Sequence, residues 1–153
     1  MIRRHGDWQT RFDAWLSDAA RAGFKWGEND CCMSAANAVL ACTGADLAEP
    51  WRDRYETAGG AVKRLRAAGM NPRRLIENMA AGIAADFTLA EIPPTYAQAL
   101  DVAFLPMEST GGLDGVLSVC DGQTFIVFTP EDGLTRLSFL YAARLPGARA
   151  WRI

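Results

Sequence analysis

The stretch that decides the fold is GFKWGENDCCMSAANAV, residues 23–39, in which an acidic residue and two adjacent cysteines precede a run of small apolar residues. Asn29 or Asp30 can cap a helix there by accepting orphan backbone N–H groups. The run from Cys31 to Cys42 is small and apolar enough to be buried along most of its length, and Gly44 ends it. If the helix begins at Cys31, helical geometry turns the two adjacent cysteines about 100° apart. Only one of them would then face any given cleft.

Upstream, Trp8, Phe12, Trp15, Leu16 and Ala19 recur at three- and four-residue steps, predicting a helix over 7–21 with its apolar stripe on the core and Gly23 as its stop. Downstream, ADLAEPWRDRYET (45–57) mixes proline, charges and aromatics and reads as an irregular crossing. A short helix follows in AGGAVKRLRAAG. Asn71-Pro72 is expected to open another, with Pro72 at its first position and Gly82 as its end.

Beyond Pro93-Pro94 the pattern changes to short apolar runs separated by Gly, Asp and Pro: 101–105, 115–120, 123–129, 133–139 and 148–153. These read as antiparallel strands, with Asp121-Gly122 as a tight hairpin turn. The expectation is an α+β fold, helices first and a small antiparallel sheet after. A length of 153 residues is that of one ordinary domain, so 1–153 is read as a single unit.

Composition excludes several functions. Sixteen basic and eighteen acidic residues give a net charge of -2, so no overall field recruits nucleic acid. The local cluster Lys63, Arg64, Arg66, Arg73 and Arg74 is read as a solvated helix face. No window approaches the roughly 20 apolar residues of a membrane span, and no signal-peptide run follows the first residues, so synthesis in the cytoplasm is expected. The four cysteines form no CxxC pair and the single histidine is His5, so neither a zinc site nor any cofactor is expected. Two free thiols rather than a bond are expected at Cys31 and Cys32.

A cysteine in the first turn of a helix has its thiolate favoured by unpaired N–H groups and the helix dipole, and neighbouring amides can serve an oxyanion. Cys31 is therefore the candidate nucleophile. The blocks FKWGENDC (24–31), TG (43–44), RYETAGGAVKRL (54–65), LDVAFL (100–105), GVLSVCDG (115–122) and AWRI (150–153) together resemble a family of small proteins encoded among the tail genes of long-tailed phages and related gene-transfer particles. That family is in turn similar to divergent papain-like, NlpC-type peptidases, which cut the peptide stems of bacterial cell walls.

The resemblance implies a papain-like NlpC-type fold with Cys31 at the nucleophile position and Asp30 before it. It implies a histidine at the start of the strand GLDGVLSV, where the chain has Leu113, Asp114 and Gly115 instead. Asp114 is the nearest ionisable substitute, but a carboxylate is a far weaker base than a thiolate. Gln123 or Thr124 on the next strand could orient an imidazole, and His5 could supply one only by folding over the cleft.

The resemblance therefore implies a non-enzymatic component of a phage tail tip, binding tail hub or distal tail proteins and delivered by the virion. The alternative is a cysteine peptidase acting on peptidoglycan stem peptides. Trp51, Arg52, Arg54 and Tyr55 are the candidate partner-binding surface.

Overall fold

The computed structural model describes residues 2–108 and 110–153. Helix α1, Trp8–Ala22, buries Phe12, Trp15 and Ala19, and the N–H of Gly23 returns to the Ala19 carbonyl at 3.1 Å. Helix α2, Met33–Thr43, lies against α1 and is closed by Gly44 in the left-handed conformation, φ 79°. It starts two residues later than its sequence suggests. The carboxylate of Asp30 accepts from the amides of Cys32 (2.9 Å) and Met33 (2.8 Å), which leaves Cys31 and Cys32 in the turn ahead of the helix.

Helix α3, Ala58–Ala67, is capped by Thr57, whose hydroxyl accepts from the Gly60 amide at 2.9 Å. It buries Ala61 and Leu65, while Lys63, Arg64 and Arg66 are exposed as expected of a solvated face. Helix α4, Leu75–Asp86, departs from expectation at both ends. Pro72 lies in a turn before it, because the cap is supplied from elsewhere in the chain, by Asp114. Gly82 does not end it; the helix continues because Met79, Ala80 and Ala84 on either side of the glycine are buried in the core. Burying such side chains outweighs the roughly 1 kcal/mol that one helical glycine costs.

Six strands follow: β1 Glu91–Ile92, β2 Val102–Leu105, β3 Val116–Cys120, β4 Thr124–Thr129, β5 Gly133–Ser138 and β6 Arg149–Trp151. They form one antiparallel sheet in the order β1-β6-β2-β3-β4-β5. Every residue of β2 and β3 is buried, since α2 and α4 cover them, and this is why these strands read as unbroken apolar runs. The α+β arrangement expected from the sequence is therefore present. Phe139, expected at the end of the strand 133–139, instead opens helix α5, Phe139–Ala143; the chain turns at Ser138 so that Phe139 stacks on Phe125 of β4 at 5.3 Å between ring centroids.

The chain's first and last segments meet at a buried charge. Asp101, fully buried at the start of β2, accepts from the amides of Gln98 (2.8 Å) and Ile153 (3.1 Å) and pairs with Arg152 at 3.0 Å. Arg4 approaches the same carboxylate at 3.7 Å and also donates to the carbonyl of Ile153. The aspartate of LDVAFL and the arginine of AWRI are thus one structural contact. Replacing Asp101 by Ala removes one partner and leaves the guanidinium and two amides uncompensated, so a loss of about 3–5 kcal/mol is expected in urea unfolding. An unchanged midpoint would contradict this account.

Candidate functional site

The site grows from a tight turn. Lys25 and Asn29 exchange backbone hydrogen bonds at 2.9 and 2.8 Å, closing the loop around Trp26, Gly27 and Glu28. Gly27 has φ 79°, and a Cβ on it would lie 2.3 Å from the carbonyl oxygen of Tyr55, so no other residue fits there. The side-chain amide of Asn29 donates to the carbonyls of Gly23 (2.7 Å) and Ala19 (3.2 Å), tying the turn to the end of α1.

Asp30 completes the turn. It is fully buried, and its carboxylate accepts four hydrogen bonds: from the amides of Gly27, Cys32 and Met33 and from the hydroxyl of Tyr55 at 2.6 Å. Those four donors fill the acceptor capacity of a carboxylate. Burial first, and then the charge of Asp30, pushes the Tyr55 phenol far above its ordinary range and keeps it a donor. Sequence reasoning placed Tyr55 on a partner surface and missed this bond. RYETAGG stood among the resembling blocks, but nothing in the spacing pairs position 55 with position 30.

Cys31 and Cys32 follow, both buried and both free. The backbone carbonyl of Cys31 accepts from the Leu117 amide at 3.0 Å, fastening the turn to the start of β3. The two side chains do not diverge as a helical start would require. Because both residues precede α2, their sulfurs and an oxygen of Asp30 lie within 4.8 Å of one another. Hydrogen bonding with Cys31, then burial, raises the Cys32 thiol well above its ordinary value of 9.0. On one side these groups border an internal apolar cavity of ≈ 40 Å³ among α2, α3, α4 and Trp51, with room for no more than a few waters. On the other, Cys31 forms part of the floor of an open cleft of ≈ 270 Å³, with Trp26, Val116, Phe128, Thr129 and the carboxylates Glu108 and Glu131 around it.

The remaining site candidates are placed elsewhere. The carboxylate of Asp114 accepts from the amides of Ile76 (2.7 Å) and Glu77 (3.2 Å), so both of its oxygens cap α4. Gln123 is exposed in the β3–β4 turn, where Asp121 organises the hairpin by accepting from the amides of Gln123 and Thr124. Cys31 sits beside the opposite end of that hairpin, roughly 20 Å away at about 3.3 Å per residue. It is therefore Phe128 and Thr129, not Gln123 or Thr124, that reach the cysteine from β4.

His5, the only histidine in the chain, is exposed at the far end of α2. Its amide donates to the Cys42 carbonyl at 2.8 Å and its ring lies beside Gly44. The 11 residues of α2, at about 1.5 Å each, separate it from Cys31 by roughly 16 Å. The structure thus brings together Cys31, Cys32, Asp30 and Tyr55 and leaves His5, Asp114 and Gln123 outside. With no imidazole within reach, the thiol of Cys31 has near it only carboxylates, all weak bases: Asp30, whose lone pairs are already occupied, and Glu108 and Glu131 on the cleft.

Of the surface expected at 51–55, Trp51, Arg52 and Tyr55 are half-buried. Trp51 packs on the core, and Arg52 makes a bidentate pair with Asp46 (2.8 and 2.7 Å) and donates to Asn37 at 2.6 Å. Of the four residues only Arg54 is exposed. The crossing is irregular because its polar groups bind the turn beneath it.

Two predictions follow from this packing. Tyr55→Phe keeps the ring but removes a donor from a buried carboxylate, which is expected to cost about 1–3 kcal/mol in urea unfolding; an unshifted midpoint would remove Tyr55 from the account. Burial also pushes the thiols of Cys42 and Cys120 up to about 11, against 9.0 ordinarily. The unfolded chain loses these protons first, so their contribution to stability is complete below about pH 9 and declines as pH rises toward about 11. Thermal melts across that range should show the decline, and it should be shallower in the Cys42→Ala, Cys120→Ala double variant.

A family model described as a domain of unknown function (DUF6950) matches residues 3–153. No curated protein matches the chain, and no solved structure does. Since the family model covers nearly its full length, the chain belongs to the DUF6950 family.

Proposed function

We propose that this protein is a non-enzymatic structural or assembly component of the tail tip of a phage or phage-like particle, binding tail hub or distal tail proteins. In this reading its framework is a papain-like, NlpC-type fold without the catalytic base. What supports the fold assignment is the placement of Cys31 in the turn that leads into a buried helix packed on an antiparallel sheet, close to the helix start at which the nucleophile of such peptidases stands. The observation that carries the non-enzymatic reading is the position of His5 at the opposite end of that helix. Thiol attack needs a proton acceptor near neutral pH, and a carboxylate does not supply one.

A binding role needs an accessible surface. Among the described residues, the large hydrophobic side chains most open to solvent are Tyr96, Leu140 and Tyr141. Leu140 and Tyr141 belong to α5, which lies against the 3-10 turn Pro94–Tyr96, so all three fall on one region of the surface. Tyrosine is enriched at protein interfaces and among the residues that carry their binding energy. Assembly in the host cytoplasm and delivery on the virion would bring the chain to a cell envelope. No helix of the described residues is long and apolar enough to cross a membrane.

The peptidase reading retains one favourable observation, the open cleft that has Cys31 in its floor. The two readings separate on hydrolysis of peptidoglycan fragments by the native protein and its Cys31→Ala variant. No product from either is expected, and any Cys31-dependent product would overturn the non-enzymatic reading. A cryo-EM map of particle tail tips and their assembly intermediates is expected to show the chain with α5 against a hub or distal tail subunit. Its absence from both would remove the tail-tip role.

A further inference from the structure

Cys31 and Cys32 occupy a setting that structural packing does not require. Two vicinal thiols, each more than nine-tenths buried, converge on one point, and one of them is reached from solvent through a cleft. A pair held only for packing would not need converging sulfurs. The groups around the pair also limit what could bind. Asp30 is already saturated by four donors, and the only histidine lies at the other end of α2. At the point of convergence the protein therefore offers two sulfur ligands, and the carboxylates that line the cleft, Glu108 and Glu131, are hard ligands that suit other ions.

Zinc at a structural site takes four ligands, which this arrangement cannot supply, whereas soft thiolates favour Cu(I), an ion satisfied by few ligands. Two metal–sulfur bonds of about 2.3 Å span roughly 4.6 Å, close to the 4.8 Å within which the two sulfurs lie, so one ion can bridge them with at most a small side-chain movement. We propose that Cys31 and Cys32 form a two-coordinate site for a soft, thiophilic metal ion of the Cu(I) class, entered through the cleft beside Trp26. Binding replaces two S–H bonds by two Cu–S bonds and releases two protons to solvent, with no change in the oxidation state of copper or sulfur. Affinity for the ion accordingly rises with pH. This inference does not depend on the tail-tip reading.

The test uses the full-length chain under anaerobic conditions, with Cu(I) supplied as its bicinchoninate complex and the loss of that complex's absorbance as the readout. One equivalent of Cu(I) per chain is expected to transfer. Cys31→Ser and Cys32→Ser, checked for folding by circular dichroism, should each bind at least about a hundredfold more weakly. The Cys42→Ser, Cys120→Ser double variant should bind like the native chain. If the single variants fail to fold, X-ray absorption of the copper-loaded native protein decides: a two-sulfur shell supports the site. Failure to take copper, copper uptake unaffected by either single variant, a shell of three or more ligands, or tighter binding of Zn(II) would each overturn it.

Discussion

The interaction on which the rest of the structure depends is the buried carboxylate of Asp30. Its four hydrogen bonds join the 25–29 turn, the first amides leading into α2, and Tyr55 at the end of the long crossing. A buried carboxylate is tolerated only when its lone pairs are satisfied; here three donors come from the surrounding turn and the fourth, Tyr55, from a segment distant in sequence. The requirement therefore holds α1, α2 and the crossing in one register. It also explains why glycine stands at position 27, where the carbonyl of Tyr55 passes too close for a side chain.

Asp101 does the same for the second half of the molecule. It gathers Arg152, Ile153, Gln98 and Arg4 at the start of β2, so the segments on either side of the fold are joined through one buried charge. Together with Asp114, which caps α4 from the segment before β3, and Asp121 in the β3–β4 turn, it forms a set of aspartates whose oxygens organise backbone amides. The blocks LDVAFL (100–105), GVLSVCDG (115–122) and AWRI (150–153) each contain one of these aspartates or its partner. In this chain those residues have structural partners, so the blocks report on how the fold is held.

The environment of Cys31 follows from the same arrangement. The donors that a thiolate or an oxyanion could use, the amides of Cys32 and Met33, already bind Asp30. The end of α2 that carries an imidazole is the wrong end. What remains around the sulfur is an apolar cavity, an open cleft and a second thiol, a setting that suits retention of a soft ligand better than proton transfer.

Local pattern in the sequence determined the helices and strands where a side-chain period and a turn residue agree: α1 with its Trp and Phe stripe, α2 ended by Gly44, and the runs that became β2 to β6. It also made plain that the chain has a single imidazole, which bounds the chemistry. It misplaced the ends of α4 and the start of α2, because those caps come from Asp114 and from a carboxylate that bends the chain before the helix begins. It missed α5, where stacking of Phe139 on Phe125 overrides the strand pattern. Only the tertiary structure decided that Tyr55 faces Asp30, that Arg52 is tethered to Asp46, and that the sulfurs of Cys31 and Cys32 converge. The first depends on a contact between segments far apart in the chain and the other two on side-chain hydrogen bonds that bend irregular turns, and neither leaves a period for a linear reading to detect.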